Sequence, residues 1–126
     1  MSASASFVKS LLAQCCLGGI CEWVVCPGAR NMALLQVLAA AEDLVKWTHF
    51  DERSAAFFAL GRIQDMGLPV AVVTTSGTAA AELLPAVVEA YYQRRPLLLL
   101  TADRPADYRG SAAPQAIEQA DLFGIY

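Results

Sequence analysis

The sequence predicts a doubly wound α/β domain, a parallel sheet with helices on both of its faces. Three observations carry that prediction. Short runs at Trp23–Cys26, Lys46–Phe50, Val70–Thr74 and Leu97–Thr101 alternate with stretches whose apolar residues recur at helical spacing. The runs are mostly apolar throughout and do not alternate with polar residues, as expected of strands covered on both sides. The length of 126 residues suits one domain spanning residues 1–126, which buries roughly two-thirds of its unfolded surface.

Taken in order, residues 4–17 set Phe7, Val8, Leu11, Leu12 and Cys15 at helical spacing, and Gly18-Gly19 ends that helix. The strand Trp23-Val24-Val25-Cys26 stops at Pro27-Gly28. A helix follows over about 32–41, then the strand Lys46–Phe50, then a helix over Glu52–Asp65 closed by Gly67. Pro69 opens the strand Val70–Thr74, and Ser76-Gly77-Thr78 begins a helix that runs to about Tyr92. From Ala79 to Tyr91 that helix is apolar almost all round, and a helix with no polar face is buried on every side. It therefore predicts an interface with another subunit or domain. After the strand Leu97–Thr101, Asp103-Arg104-Pro105 opens a polar loop, and residues 116–123 suggest one more short helix. The chain has no internal repeat and no linker.

Composition narrows the function. Hydrophobic residues make up 56% of the chain and charged residues 17%, which excludes disorder. The net charge of −3 offers no basic patch for nucleic acid. No apolar run approaches the ~18 residues that cross a bilayer, so no membrane span is expected. Near the N-terminus, Gln14 and Cys15-Cys16 interrupt any signal-peptide core after Lys9, and Ile20 precedes Cys21 where a lipoprotein signal favours Gly or Ala; the expected compartment is the cytoplasm. Cys15, Cys16, Cys21 and Cys26 lack metal-site spacing, and His49 is the sole histidine, so the reading is of reduced, mostly buried thiols and no metal site. The mean hydropathy of +0.43 is high for so small a chain, which predicts that a partner or further polypeptide covers part of its surface.

In doubly wound folds ligands sit beyond the carboxyl ends of the strands, where strand order reverses. The loops there, Cys26–Asn31, Phe50–Arg53, Thr74–Thr78 and Ala102–Arg109, hold nearly all of the unusual polar residues. No Gly-x-Gly-x-x-Gly or Walker A sequence is present, which removes the nucleotide-binding readings. Ser76-Gly77-Thr78 opens a helix whose free N–H groups suit a ligand, or simply a helix cap. Asp51 and Glu52 open another helix, where a carboxylate is ordinarily a favourable dipole contact. The apolar flank Ala55–Leu60 adds a second possibility, a desolvated Glu52 that serves as a proton donor near neutral pH. Arg30, Arg104 and Arg109 suit the carboxylates of an anionic substrate, or are surface arginines with no shared target. Cys26 as a nucleophile would need His49 from another strand end as its base.

Three segments, His49-Phe50-Asp51-Glu52-Arg53-Ser54-Ala55-Ala56-Phe57, Thr75-Ser76-Gly77-Thr78-Ala79 and Leu100-Thr101-Ala102-Asp103-Arg104-Pro105, carry a resemblance in order and spacing. Cys26-Pro27-Gly28-Ala29-Arg30 and Gln115-Ala116-Ile117 fit it too. From about Ser6 to Phe123 the chain resembles the N-terminal, pyrimidine-binding domain of the thiamine-diphosphate enzymes of menaquinone biosynthesis, the 2-succinyl-5-enolpyruvyl-6-hydroxy-3-cyclohexene-1-carboxylate synthase family. The resemblance implies a transferase that decarboxylates 2-oxoglutarate on the cofactor and adds the product carbanion to isochorismate. By the same resemblance Glu52 hydrogen-bonds N1′ of the aminopyrimidine, Ser76-Gly77-Thr78 packs near that ring, and Gln115 lies beside the cofactor. Arg30 and Arg104, with Gln115, match the anionic substrate site, and both substrates carry two carboxylates.

Three positions depart from the family pattern. Ala29 and Asn31 stand where the family usually has Ser, and Pro114 where it has Asn. Losing such polar groups shifts discrimination between acceptors, so a related 2-oxoacid decarboxylase with another acceptor is the alternative enzyme reading. Size is the larger departure. The family holds the diphosphate through Mg²⁺ or Mn²⁺ by a Gly-Asp-Gly segment and an Asn-rich stretch of a later domain, and this chain has no Gly-Asp-Gly and Asn31 as its one asparagine. The resemblance thus implies the N-terminal part of a longer homodimeric or homotetrameric enzyme, inactive as this chain alone. A free-standing, non-catalytic interaction domain is the rival of another class.

Overall fold

A computed structural model describes residues 3–126 of the chain. The elements run α1 (Ala3–Leu17), β1 (Glu22–Val25), α2 (Met32–Ala40), β2 (Val45–Thr48), α3 (Glu52–Met66), β3 (Val70–Thr74), α4 (Thr78–Ala81), α5 (Leu84–Tyr92), β4 (Leu97–Thr101) and a short 3₁₀ turn at Ala106–Tyr108. The four strands form one parallel sheet in the order β2-β1-β3-β4. The chain steps out from β1 to β2 and then returns across β1 to β3. With right-handed crossovers, that reversal sends the connecting helices to opposite faces.

The strand pleat sorts the side chains accordingly. Val24, Cys26, Val70 and Val72 point to the face covered by α3 and α5, where they pack with Ala55, Ala56, Ala59, Ile63, Leu83 and Ala86. Trp23, Val25, Ala71 and Val73 point to the other face and meet Leu12, Ile20 and Leu38 of α1, its following turn and α2. The small residues of α3 let it lie close on the sheet. Strands β1 and β3 are central and buried, whereas β2 is an exposed edge. Lys46 of β2 reaches back to close α2, its Nζ donating to the carbonyls of Ala41 at 2.5 Å and Leu38 at 3.2 Å.

At the amino end of the sheet, the buried Glu22 accepts two hydrogen bonds from Arg62 of α3, Nε to Oε2 at 2.9 Å and Nη2 to Oε1 at 2.7 Å. Trp47 Nε1 donates a third at 3.0 Å, and the guanidinium stands 5.6 Å from the Trp47 ring centroid. The Arg62 hydrogen bonds hold the Glu22 carboxyl below its ordinary range, with burial opposing and Trp47 assisting.

The doubly wound parallel fold and every strand expected from sequence are present, β3 and β4 with the expected limits and β1 and β2 shifted by one or two residues. Two helices differ. The helix expected from Ser76 to Tyr92 is divided at residues 82–83, because Pro85 has no N–H to give the carbonyl of Ala81. Within this chain Ala86 and Ala90 face the core, while Tyr91 and Tyr92 are exposed on the outer side. Residues 116–123 form no helix: 116–119 are irregular and 120–123 are turns, with Gln115 and Asp121 both at positive φ. Of the four free thiols only Cys26 is buried; Cys16 and Cys21 are exposed, which corrects the expectation of mostly buried cysteines.

Candidate functional site

Strand order reverses between β1 and β3, so their carboxyl ends border the crevice where this fold class binds ligands. The loops that leave them touch. A Cβ placed on Gly28 would lie 2.5 Å from Cβ of Thr75, so only glycine permits this approach. Asn31 ties the first loop into shape: its Oδ1 accepts from Gly28 N at 2.9 Å and its Nδ2 donates to Cys26 O at 2.9 Å. The departure from serine at this position is thus a buried structural device, and Ala29 and Arg30 are left exposed at the loop's tip. The side-chain hydroxyls of Thr74 and Thr75 are buried at the end of β3 with no hydrogen-bond partner among the described residues.

β2 delivers Asp51 and Glu52 to the same end of the sheet. Asp51 is the helix cap, accepting from Ser54 N at 2.6 Å, which holds its carboxyl low. Glu52 is the first residue of α3, so its side chain is not needed for capping. It is only partly buried by this chain, short of the full desolvation that the apolar flank suggested. Its carboxylate bears on Cys26: burial first, then the charges of Glu52 and Asp51, push the Cys26 thiol up to about 12. A thiol so disfavoured as thiolate is not a nucleophile at neutral pH, which disposes of the Cys26–His49 idea.

The remaining site residues occupy the β3–α4 loop and the segment after β4. Ser76 is fully buried and does not cap α4; its Oγ donates to the carbonyl of Gln115 at 2.9 Å. Gly77 is buried too, and its N–H, expected to be free for a ligand, donates to Gln119 Oε1 at 2.7 Å. A Cβ on Gly77 would meet Cα of Gln115 at 2.7 Å, so the backbone of residue 115 lies directly on this glycine. Thr78 and the Gln115 side chain remain exposed. Arg104 donates from Nε to the carbonyl of Pro114 at 2.8 Å and lies 5.1 Å from the Tyr108 ring centroid. Arg109 does not join it, because Arg109 pairs with Asp103 at 3.5 Å.

The structure therefore brings Ser76, Gly77, Gln115 and Arg104 into one hydrogen-bonded group, with Arg30 on the loop after β1 and Glu52 at the start of α3 after β2. Asn31 and Gln119 are the residues that sequence reasoning missed as organisers. Gln119 had no local signal, since its two partners are distant in sequence.

Residues 7–122 match the family described as thiamine pyrophosphate enzyme, N-terminal TPP binding domain. The chain belongs to that family. It is also 95% identical, over all 126 residues, to the 2-succinyl-5-enolpyruvyl-6-hydroxy-3-cyclohexene-1-carboxylate synthase of Akkermansia muciniphila, and covers 24% of that protein. With the protein of the same name from Bdellovibrio bacteriovorus it shares 54% identity over 108 residues, 86% of this chain and 20% of that one. The chain thus spans a fifth to a quarter of the length of these relatives. Among solved structures, the Rhodococcus jostii thiamine diphosphate-dependent 4-hydroxybenzoylformate decarboxylase superposes with a TM-score of 0.80 over 98% of this chain and 23% of that one, at 14% identity, a likeness of fold.

The residues of this TPP-binding domain fit one end of the cofactor. A carboxyl at the start of α3, beside the crevice and free of capping duty, suits a pyrimidine ring nitrogen. The buried Thr74 and Thr75 hydroxyls put polar atoms with unused hydrogen-bonding capacity at the adjacent strand end. For the diphosphate end, no group of three or more His, Cys, Asp or Glu able to hold a metal ion occurs among the described residues. No helix among them is long and apolar enough to cross a membrane.

Proposed function

We propose that residues 1–126 form the pyrimidine-binding domain of a cytoplasmic thiamine-diphosphate-dependent 2-succinyl-5-enolpyruvyl-6-hydroxy-3-cyclohexene-1-carboxylate synthase of menaquinone or phylloquinone synthesis. The observation that carries this reading is the placement of Glu52, the first residue of α3, at the carboxyl end of the sheet and outside the cap of its own helix. The identity to synthases of that name supports the choice of 2-oxoglutarate and isochorismate as substrates. Thiamine diphosphate, when bound, supplies the carbon nucleophile and takes up the negative charge released by decarboxylation.

This chain's residues do the rest of the work at the pyrimidine end. Glu52 shares a proton between its carboxyl oxygen and the N1′ ring nitrogen, the general acid–base step that activates the cofactor. Thr78 and Gln115 stand at the ring's side of the crevice, while Ser76 and Gly77 act from beneath by fixing the backbone of residue 115. Arg30 and Arg104 bind the carboxylates of the two dianionic substrates. The diphosphate and its Mg²⁺ or Mn²⁺ are held outside these residues, by a further domain of a homodimer or homotetramer. The exposed Phe50 and the half-exposed Met32 and Phe57, which belong to the loops and helices at this end, are the apolar surface such a domain would cover.

Ala29 and Pro114 favour one second reading, a related 2-oxoacid decarboxylase with another acceptor. Turnover of 2-oxoglutarate by the full-length protein, with and without isochorismate, separates the two. The synthase reading expects isochorismate to enter product, and 2-oxoglutarate consumption that never incorporates isochorismate overturns it.

A further inference from the structure

The Gln119 side chain joins the carboxyl ends of two neighbouring strands to the segment that carries Gln115. Its Oε1 accepts from Gly77 N after β3, and its Nε2 donates at 3.0 Å to Ala102 O, just beyond the last residue of β4. A primary amide is the neutral side chain that accepts and donates at once, and both backbone groups lie where the sheet ladder has ended. Leucine in its place would satisfy neither group.

From this amide a continuous path of contacts leads to the substrate arginine. Four residues before Gln119, Gln115 sits on the bare backbone of Gly77, accepts from Ser76 Oγ, and is held at a φ of 58°. The preceding carbonyl, that of Pro114, receives Arg104 Nε, and Tyr108 supports the guanidinium from its ring face. Arg104 thus uses its Nε on the backbone and keeps the outer nitrogens of its fork for a carboxylate. None of these contacts involves Glu52, which rides on α3 beside the opposite flank of β1.

We infer that Gln119 is a positioning residue for anionic substrate: it fixes the 103–115 segment so that Arg104 and Gln115 meet the substrate's carboxylates, and it takes no part in activating the cofactor. The inference rests on the synthase reading above and adds to it a division of labour between two flanks of the crevice.

The test uses the full-length protein with Gln119→Leu and, as a milder lesion of the same segment, Ser76→Ala. Three quantities are measured: KM for 2-oxoglutarate and for isochorismate, the rate of C2–H exchange of bound thiamine diphosphate, and backbone amide exchange across 102–119 and 52–66. The expected result for Gln119→Leu is a KM raised about tenfold or more for at least one substrate. Amide protection across 102–119 should fall while C2–H exchange and the protection of 52–66 stay at the wild-type level. Ser76→Ala should raise the same KM and lower protection across 102–119 by less. Unchanged KM in both variants overturns the inference, and so does a parallel fall of C2–H exchange and substrate affinity, which would make Gln119 a general structural tie. If wild-type protein exchanges C2–H but turns over neither substrate, the synthase reading fails; intact turnover with unmoved KM values sinks the Gln119 inference alone.

Discussion

The two ends of the sheet treat charge in opposite ways. At the amino end, the buried Glu22 carboxylate is paired with Arg62 and accepts from Trp47, while the exposed Asp65 meets the same guanidinium. At the carboxyl end, Glu52 and Arg30 form no salt bridge with any other described residue, and Arg104 uses its Nε alone on a backbone carbonyl. The chain therefore pairs its buried carboxylate at one end and, beside the Arg109–Asp103 pair, leaves Glu52 and Arg30 without a charged partner among the described residues at the other. α3 links the two ends: Arg62 anchors it to β1 at one end, and the helix presents Glu52 at the other.

Substitutions at the amino end should change stability and leave chemistry alone. Arg62→Leu strands a buried carboxylate and should lower the thermal midpoint on the order of 10 °C, with most of the loss recovered when Glu22→Leu is added. A loss that the double variant does not recover would mean that packing, and not charge compensation, holds this corner. The same pair gives the acid limb of stability its sign. Glu22 titrates lower folded than unfolded, so its contribution is complete above the ordinary carboxylate range and disappears as pH falls through the folded value. Asp51, held low by Ser54, acts in the same direction. Denaturation midpoints measured from pH 7 to pH 3 should fall less steeply in Glu22→Gln than in the wild type.

Smaller effects sharpen the contrast. Gly28→Ala forces a methyl into Thr75 and should cost about 1–3 kcal/mol in urea unfolding, felt at the crevice because both loops must move. Lys46→Met removes two charge-assisted bonds from the end of α2 and should cost about 1 kcal/mol. Arg30→Ala should leave stability within about 0.5 kcal/mol of wild type while raising substrate KM in the full-length protein. A large stability loss at Arg30 would erase the distinction between the two ends.

Most of this fold was legible in the sequence. Val70–Thr74 and Leu97–Thr101 are apolar runs whose limits the structure reproduces, and Gly67 stops α3 with a left-handed φ of 70° as a C-cap glycine should. The break before α5 was not read, because the apolar spacing continues across Pro85, the residue that causes the break. Nor were residues 116–123. Their apolar spacing suits a helix, but Gln119 strapped to Gly77 and Ala102, and Phe123 packed against the α3–α5 core, hold them in an irregular path that ends in turns. At the candidate site the loops were readable because polar residues concentrate at the carboxyl ends of strands. Which atoms were already spoken for was not readable. The N–H of Gly77 and the amide of Asn31 are committed, and one nitrogen of Arg109 is paired, by neighbours that only the folded chain brings near.

Everything in this account turns on Glu52 being a working group and not part of the helix cap. The direct measurement is the C2–H exchange rate of thiamine diphosphate bound to the full-length protein, wild type against Glu52→Gln, with the unfolding midpoint recorded alongside. Exchange should slow on the order of a hundredfold or more at an unfolding free energy within about 0.5 kcal/mol of wild type, because Asp51 alone caps α3. Exchange at the wild-type rate would contradict it and return Glu52 to the role of a surface carboxylate at a helix start.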